Sequence, residues 1–285
     1  MRNKLFVIGS PIEQSKSPEV MTDFINRDGL DLSYEKREVN KDSLESFVNE
    51  AQNGLDLTYE KREVNKDSLE SFVNEAQNGE VLGFNITTPL KEDILNYADE
   101  ASEAVKILGA ANTASLASGK MSLHNTDYIG FMKDITSLIP KYERYSYAVL
   151  GTGGAARSII YALTKLDIFQ ITVYTRDEVE AHYKLKNFED DIEIYPYDYG
   201  MDQDVIINAT GLGMAGKLDE SPLSKEDFEM SRAGFAYDLT YNPEETKFLT
   251  LAKEAGLITM NGWGMFMGQA EEAFKIWTGA DRNEL

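Results

Sequence analysis

The chain has 285 residues, 42% of them hydrophobic and 11% aromatic, a formal charge of −21, two histidines and no cysteine. That length and apolar share provide for two packed domains and exclude a disordered chain, and without cysteine there are no disulfides, thiolate metal sites or cysteine nucleophile. The acidic surface repels nucleic acid and anionic membrane, no apolar run approaches the roughly 18 residues of a membrane span, and the stretch Met1 to Gly9 has too short an apolar run for a signal peptide, so a cytoplasmic protein is expected.

Taken in chain order, Lys4 to Gly9 reads as a buried strand and Pro18 to Arg27 as a helix. Gly29 to Asn53 is then repeated as Gly54 to Asn78, with Ser33 against Thr58 the single difference. Each copy predicts one strand (Leu32 to Val39, Leu57 to Val64) and one amphipathic helix, with Asp42 or Ser43 capping the first and Asp67 or Ser68 the second. Solenoids need three or more stacked units, so two copies read as a recent or engineered duplication. The charged strand Glu35-Lys36-Arg37-Glu38 suits a sheet edge, with one copy at the edge and the other extending it or packing outside.

Beyond the repeat, Val81 to Thr87 reads as a strand and Lys91 to Ala98 and Ser102 to Leu108 as helices. Ala114 to Ala117 and Lys120 to Leu123 predict a hairpin around Ser118-Gly119, and Tyr128 to Leu138 a helix. Short apolar runs at Tyr147 to Leu150, Ile171 to Tyr174, Ile192 to Tyr195, Val205 to Asn208, Ala236 to Leu239 and Ile258 to Asn261 predict buried strands, and Gly264 to Trp277 a final helix. The fold class is α/β: two parallel-sheet domains with a cleft as the natural ligand site.

The most telling stretch is Val149-Leu150-Gly151-Thr152-Gly153-Gly154-Ala155-Ala156-Arg157, a strand breaking into glycines ahead of an apolar-periodic helix. Glycines let the backbone approach a pyrophosphate, whose charge the helix N–H groups bind, although a plain strand-to-helix connection has the same form.

Several segments, in order along the chain, resemble the shikimate dehydrogenase family: Gly9-Ser10-Pro11-Ile12-Glu13-Gln14-Ser15-Lys16-Ser17-Pro18, Gly83-Phe84-Asn85-Ile86-Thr87-Thr88-Pro89-Leu90-Lys91, Gly109-Ala110-Ala111-Asn112-Thr113, Asn125-Thr126-Asp127, Asn208-Ala209-Thr210, Asp238-Leu239-Thr240-Tyr241-Asn242-Pro243 and Gly268-Gln269-Ala270. Each is short, and their joint order carries the specificity. The resemblance implies reversible reduction of 3-dehydroshikimate to shikimate with a nicotinamide cofactor, on the route to chorismate and the aromatic amino acids. It also implies a discontinuous substrate domain, residues 1–127 and 239–285, around a Rossmann-like dinucleotide domain, residues 128–238. The family has one strand–helix unit where this chain has two, and often a histidine where Gln14 stands.

By the same resemblance Lys91 and Asp127 form the acid–base pair. Ketone reduction needs a proton at the forming alkoxide as hydride arrives, and a partly buried lysine can deliver it; without the resemblance Lys91 is a solvated lysine and Asp127 a helix cap. Ser15 and Ser17, otherwise helix-capping residues, bind the substrate carboxylate. Asn85, Thr87, Asn112 and Gln269 hydrogen-bond the ring hydroxyls, since amides both donate and accept, and Tyr241 borders the site. Gly151, Gly153, Gly154 and Ala155 cradle the cofactor, with Thr210 and Met265 beside it. Met214 and Met267 are further candidates, or core filling.

The second strand of the nucleotide domain ends Thr175-Arg176-Asp177, with no acid at Thr175 for a ribose diol. Arg176 matches the family arginine that holds the 2′-phosphate, which favours NADP over NAD, and Asp177 opposes it by charge. His124 and His182 stand in no ligand pattern, so no metal is expected, and Trp263 and Trp277 read as packing residues. Rival readings are a quinate/shikimate dehydrogenase using NAD, a methylenetetrahydrofolate dehydrogenase, and a silent ligand-binding homologue; a monomer or homodimer is expected.

Overall fold

The computed structural model describes residues 4–8, 15–30, 32–37, 69–70, 73, 81–117 and 120–279. The chain divides into two compact units, Met1–Thr126 with Ala270–Leu285, and Asp127–Gln269. The strand Ile258–Asn261 hydrogen-bonds to Phe235–Asp238 in the second unit's sheet. Among the described residues no helix is long and apolar enough to cross a membrane.

The first unit is built on a six-stranded sheet. Its strands are β1 (Lys4–Ile8), β2 (Ser33–Arg37), β3 (Val81–Ile86), β4 (Glu100–Ala101), β5 (Thr113–Ala117) and β6 (Lys120–His124), in the spatial order β2-β1-β3-β5-β6-β4. β1 runs parallel to β2 and β3, whereas β3–β5 and β5–β6 are antiparallel. This sheet is therefore mixed, because the short β5–β6 hairpin that the sequence predicts can only fold back antiparallel. Helix α1 (Ser17–Arg27) has Pro18 in its first turn and buries Val20, Met21, Phe24 and Ile25, the i, i+1, i+4, i+5 pattern of one apolar face. Helix α2 (Glu103–Leu108) is capped by Ser102, whose hydroxyl accepts from Val105 N, and ends at Gly109 in the left-handed region.

The duplicated segment is divided between its copies. β2, at the sheet edge as expected, comes from the first copy and pairs with β1 so that Leu5 faces Tyr34. The helical core residues come from the second: Leu69 and Val73 are buried with Phe6, Ile8, Phe84, Ile86 and Leu90. The expected second-copy strand at 57–64 lies outside the described residues, as do the first-copy helix and Gly9 to Gln14.

The second unit holds a six-stranded sheet that is parallel throughout. Its strands are β7 (Tyr147–Leu150), β8 (Ile171–Thr175), β9 (Ile192–Pro196), β10 (Val205–Asn208), β11 (Phe235–Asp238) and β12 (Ile258–Asn261), in the order β12-β11-β10-β7-β8-β9. The order reverses at β7, the switch point at which open α/β sheets bind ligands. β7, β8 and β10 are buried along their whole length, which is why they read as unbroken apolar runs. Helices α3 (Asp127–Leu138) and α4 (Gly154–Lys165) pack together. Three short helices follow that the sequence reading missed: α5 (Glu178–Lys184), α6 (Lys225–Met230) and α7 (Lys247–Glu254). They are too short for a clear period, and the caps Asp177, Ser224 and Thr246 define them instead. Helix α8 (Trp263–Thr278) crosses from the second unit into the first.

Candidate functional site

Most candidate residues lie at or just beyond the carboxyl ends of β3, β6, β7, β8, β10 and β11, with Ser15 and Ser17 at the start of α1, Asn112 just before β5, and Met265 and Gln269 on α8. In the first unit the backbone draws two motifs and the end of β1 together. Ile86 N donates to Asn112 O at 2.8 Å, Thr87 N to Ile8 O at 3.1 Å and Ala111 N to Lys91 O at 2.8 Å. The last of these corrects the expected helix at Lys91 to Ala98. The Lys91 carbonyl serves Ala111 and not a next helical turn, Lys91 lies in a turn, and only the 3-10 segment Asp93–Tyr97 follows. Lys91 is thus half-buried and does not open an α-helix, so no helix dipole opposes its charge.

The Gly-Ala-Ala-Asn-Thr and Asn-Thr-Asp motifs bind each other across the base of the β5–β6 hairpin. Asn112 Oδ1 accepts from Thr126 N at 2.7 Å, Asn112 Nδ2 donates to Thr126 Oγ1 at 2.9 Å, and Asn125 Nδ2 donates to Ala110 O at 3.2 Å. Asn125, Thr126 and Asn112 are buried, and Asp127, also buried, begins α3 directly after them. Beside Asn112, Asn85 sits opposite Thr113 in the β3–β5 register. Its Nδ2 faces Thr113 Oγ1 at 3.3 Å and Asn112 O at 3.4 Å, and its Oδ1 accepts from Tyr34 Oη at 2.6 Å. Tyr34 was not singled out from sequence. The signal was there: one tyrosine, flanked by Ser33 and Glu35, in a strand otherwise marked by charge. Ser15 Oγ donates to Ser17 Oγ at 3.1 Å and accepts from Ser17 N at 3.3 Å at the start of α1. Lys16 takes the capping position with no side-chain cap, so neither serine is the conventional cap considered from sequence.

In the second unit, Gly151 has φ of 106° and donates its N–H to Tyr174 O, a left-handed conformation that favours glycine. A Cβ there would press Thr210 Cγ2 at 3.3 Å, whereas one at Gly153 would meet nothing within 4 Å. Gly153 is the N-cap of α4 and has no side chain to cap it. The first turn of α4, with Gly154 and Ala155, thus offers backbone donors to open space, as a pyrophosphate requires. The facing loop is held from below. Thr210 donates through N and Oγ1 to Asn208 Oδ1 at 3.0 and 2.6 Å, and Asn208 Nδ2 donates to Asp238 Oδ2 at 3.0 Å. Asp238 also accepts from Thr246 Oγ1 at 2.6 Å and Thr240 N at 2.9 Å. Burial raises its pKa above the ordinary carboxylate value.

At the end of β8 the Thr175 hydroxyl accepts from Asp177 N at 3.2 Å, Arg176 is exposed, and Asp177 Oδ1 accepts from Glu180 N at 2.9 Å. Asp177 therefore caps α5, the task a threonine also performs at an N-cap. Tyr241 is stacked on Phe266 at 4.5 Å and stands edge-on to Trp263 at 5.8 Å. Trp263, 44% exposed, packs on Tyr241 and Phe266, whereas Trp277 is buried with its Nε1 donating to Ala114 O at 2.8 Å. Gln269 and Met265 are buried on α8, Met267 is half-buried and Met214 exposed. A separate cavity of about 480 Å³, lined in part by Ser146, Gln170, Asp190, Asp191 and Arg232, lies toward the amino ends of β7 to β9, the end opposite the glycine turn.

The profile of the family described as "Shikimate dehydrogenase substrate binding domain" matches residues 7–54 and again 50–114, so each match takes one copy of the duplication. Shikimate dehydrogenase (NADP(+)) from Caldicellulosiruptor saccharolyticus is 34% identical over 279 residues, covering 96% of this chain and 91% of the relative. Among solved structures, shikimate 5-dehydrogenase from Thermus thermophilus in complex with NADP(H) and shikimate superposes with a TM-score of 0.81 at 28% identity, over 98% of this chain and 94% of that one. A chorismate mutase/shikimate 5-dehydrogenase fusion protein from Clostridium acetobutylicum gives 0.82 at 30% identity, over 100% and 94%.

Proposed function

The chain belongs to the shikimate dehydrogenase family, and from that premise we propose that it catalyses the reversible, NADP-dependent reduction of 3-dehydroshikimate to shikimate. The observation that carries the reading is that each unit presents one ligand end. One is the bonded cluster of Asn85, Thr87, Lys91 and Asn112 at the end of β3. The other is the uncapped glycine turn after β7.

When bound, the nicotinamide supplies or receives the hydride at the substrate carbon. Lys91 holds the proton that the developing alkoxide needs, and Asp127 orients the lysine and accepts from a substrate hydroxyl. Ser15 and Ser17 donate to the carboxylate. In a chain of charge −21, neutral donors at short range, with Lys91 as local positive charge, overcome the long-range repulsion of an anionic substrate. Thr87, Asn112 and Gln269 fix the remaining hydroxyls, with Tyr241 at the border. Gly151, Gly153, Gly154 and Ala155 receive the pyrophosphate, and Thr210 and Met265 flank the nicotinamide side. Arg176 pairs with the 2′-phosphate, because position 175 offers no carboxylate for a diol and the Asp177 carboxylate is engaged in capping. Residues 1–127 and 239–285 are read as the segments that serve the substrate and 128–238 as those that serve the nucleotide, a functional division apart from the two compact units, in a cytoplasmic monomer or homodimer.

The test is absorbance of reduced cofactor with shikimate and NADP, beside quinate and NAD. Turnover is expected to be greatest with shikimate and NADP, and Lys91→Ala is expected to lower kcat by about 100-fold or more. Folded protein silent with every pair would sink the reading.

A further inference from the structure

We infer that Tyr34, a residue of the first duplicated copy, is a positioning residue for Asn85 and through it for recognition of a substrate hydroxyl; this deepens the proposed function and rests on it. The Asn85 amide is oriented by what surrounds it. Its Nδ2 faces the Asn112 carbonyl at 3.4 Å, an acceptor only, so the nitrogen must lie on that side. The oxygen then faces Tyr34, and at 2.6 Å the phenol must be the donor. Asn85 thus has both amide protons directed at Asn112 O and Thr113 Oγ1, and one oxygen lone pair taken by Tyr34. What it keeps for a ligand is the second lone pair on Oδ1. Asn85 is therefore an acceptor for a hydroxyl, and Tyr34 polarises the oxygen that accepts.

The ring is held in place by packing. Tyr34 is buried although its strand is a sheet edge, with its ring 6.3 Å from that of Trp277. Trp277 is fixed in turn by its bond to Ala114 O and by Gly83, where any Cβ would collide with the indole. From Asn85 the buried contacts continue through Thr113 Oγ1 to Asn112 Oδ1 at 3.2 Å and Thr126 Oγ1 at 3.3 Å. Thr126 is the residue before Asp127. The edge strand of the duplication is thereby tied to the polar floor of the candidate site.

The duplication makes the inference testable against an internal control, because Tyr59 repeats Tyr34. Initial rates with shikimate and NADP are compared for wild type, Tyr34→Phe, Tyr59→Phe, Asn85→Ala and Tyr34→Phe/Asn85→Ala, with thermal midpoints beside them. Tyr34→Phe is expected to raise KM for shikimate by roughly tenfold, with kcat within about threefold and KM for NADP unchanged. Tyr59→Phe is expected to match wild type. In the Asn85→Ala background, Tyr34→Phe is expected to add less than about twofold, since its effect passes through the missing amide. A merely structural tyrosine would lower the thermal midpoint and act equally in both backgrounds, and that result overturns the inference. Wild-type kinetics in Tyr34→Phe, or an effect carried by Tyr59→Phe, also overturns it. Absence of turnover in the wild type would instead be failure of the proposed function.

Discussion

Asp177 shows how one carboxylate can oppose a ligand by charge and still suit its position. Its bond to Glu180 N makes it the N-cap of α5, and threonine caps nearly as well. Asp177→Thr is expected to leave the thermal midpoint unchanged and to lower KM for NADP, whereas Asp177→Ala loses about 1 kcal/mol of stability; a rise in KM for Asp177→Thr would show that the carboxylate aids cofactor binding. Asp134 is a buried carboxylate outside the proposed chemistry. It accepts from Tyr237 Oη at 2.6 Å and Met265 N at 3.0 Å. Burial raises its pKa, and those two bonds oppose the rise without cancelling it. A raised folded-state pKa means that the native protein holds this proton more tightly than the unfolded chain does. The stabilisation is complete below the ordinary carboxylate range and is lost as pH rises through the raised value. Asp134→Asn keeps an acceptor oxygen and removes the titration. Its urea midpoint is therefore expected to vary less between about pH 4 and pH 8 than that of wild type; parallel curves would refute this.

At the scale of elements, the close crossing of α3 and α8 sets where the α8 candidates stand. Gly130 and Asp134, four apart on α3, face Gly268 and Gly264, four apart on α8. A Cβ on Gly268 would lie 2.9 Å from Gly130 Cα, one on Gly130 2.7 Å from Gln269 N, and one on Gly264 would overlap the Asp134 carboxyl. There is no room to give, because backbone and a buried carboxylate form the obstacles. Gly130→Ala is expected to cost about 2 kcal/mol or more in denaturant unfolding and to raise KM for shikimate by displacing Gln269; a variant of wild-type stability would show that the helices can separate freely. The sequence reading found α8 and its Gly268-Gln269 motif without this crossing, since one helix's spacing does not name the face that meets it. The turn at Lys91 was illegible for a related reason: a carbonyl drawn off by Ala111, 20 residues on, leaves no local mark.

For the whole molecule, the duplication is the feature that sequence and structure divide between them. β2 comes from one copy and the buried Leu69 and Val73 from the other, so between Arg37 and Leu69 the chain carries the 25 residues of one copy beyond what a single strand–helix unit needs. Deleting residues 38–62 joins Arg37 to Glu63 and restores a single strand–helix unit. This variant is expected to keep kcat and KM within about twofold, because it removes neither β2 nor the buried Leu69 and Val73; loss of activity would show that the extra length serves the site. The sequence by itself determined the strand cores, the glycine turn after β7, the hairpin and the order of motifs, because buried parallel strands and tight turns are written in contiguous residues. Only the tertiary structure decided which copy's strand takes the sheet edge, that Leu69 and Val73 of the other copy are buried, the bond from Tyr34 to Asn85 and the turn at Lys91. Two nearly identical segments have the same local preferences, so contacts distant in sequence had to choose between them.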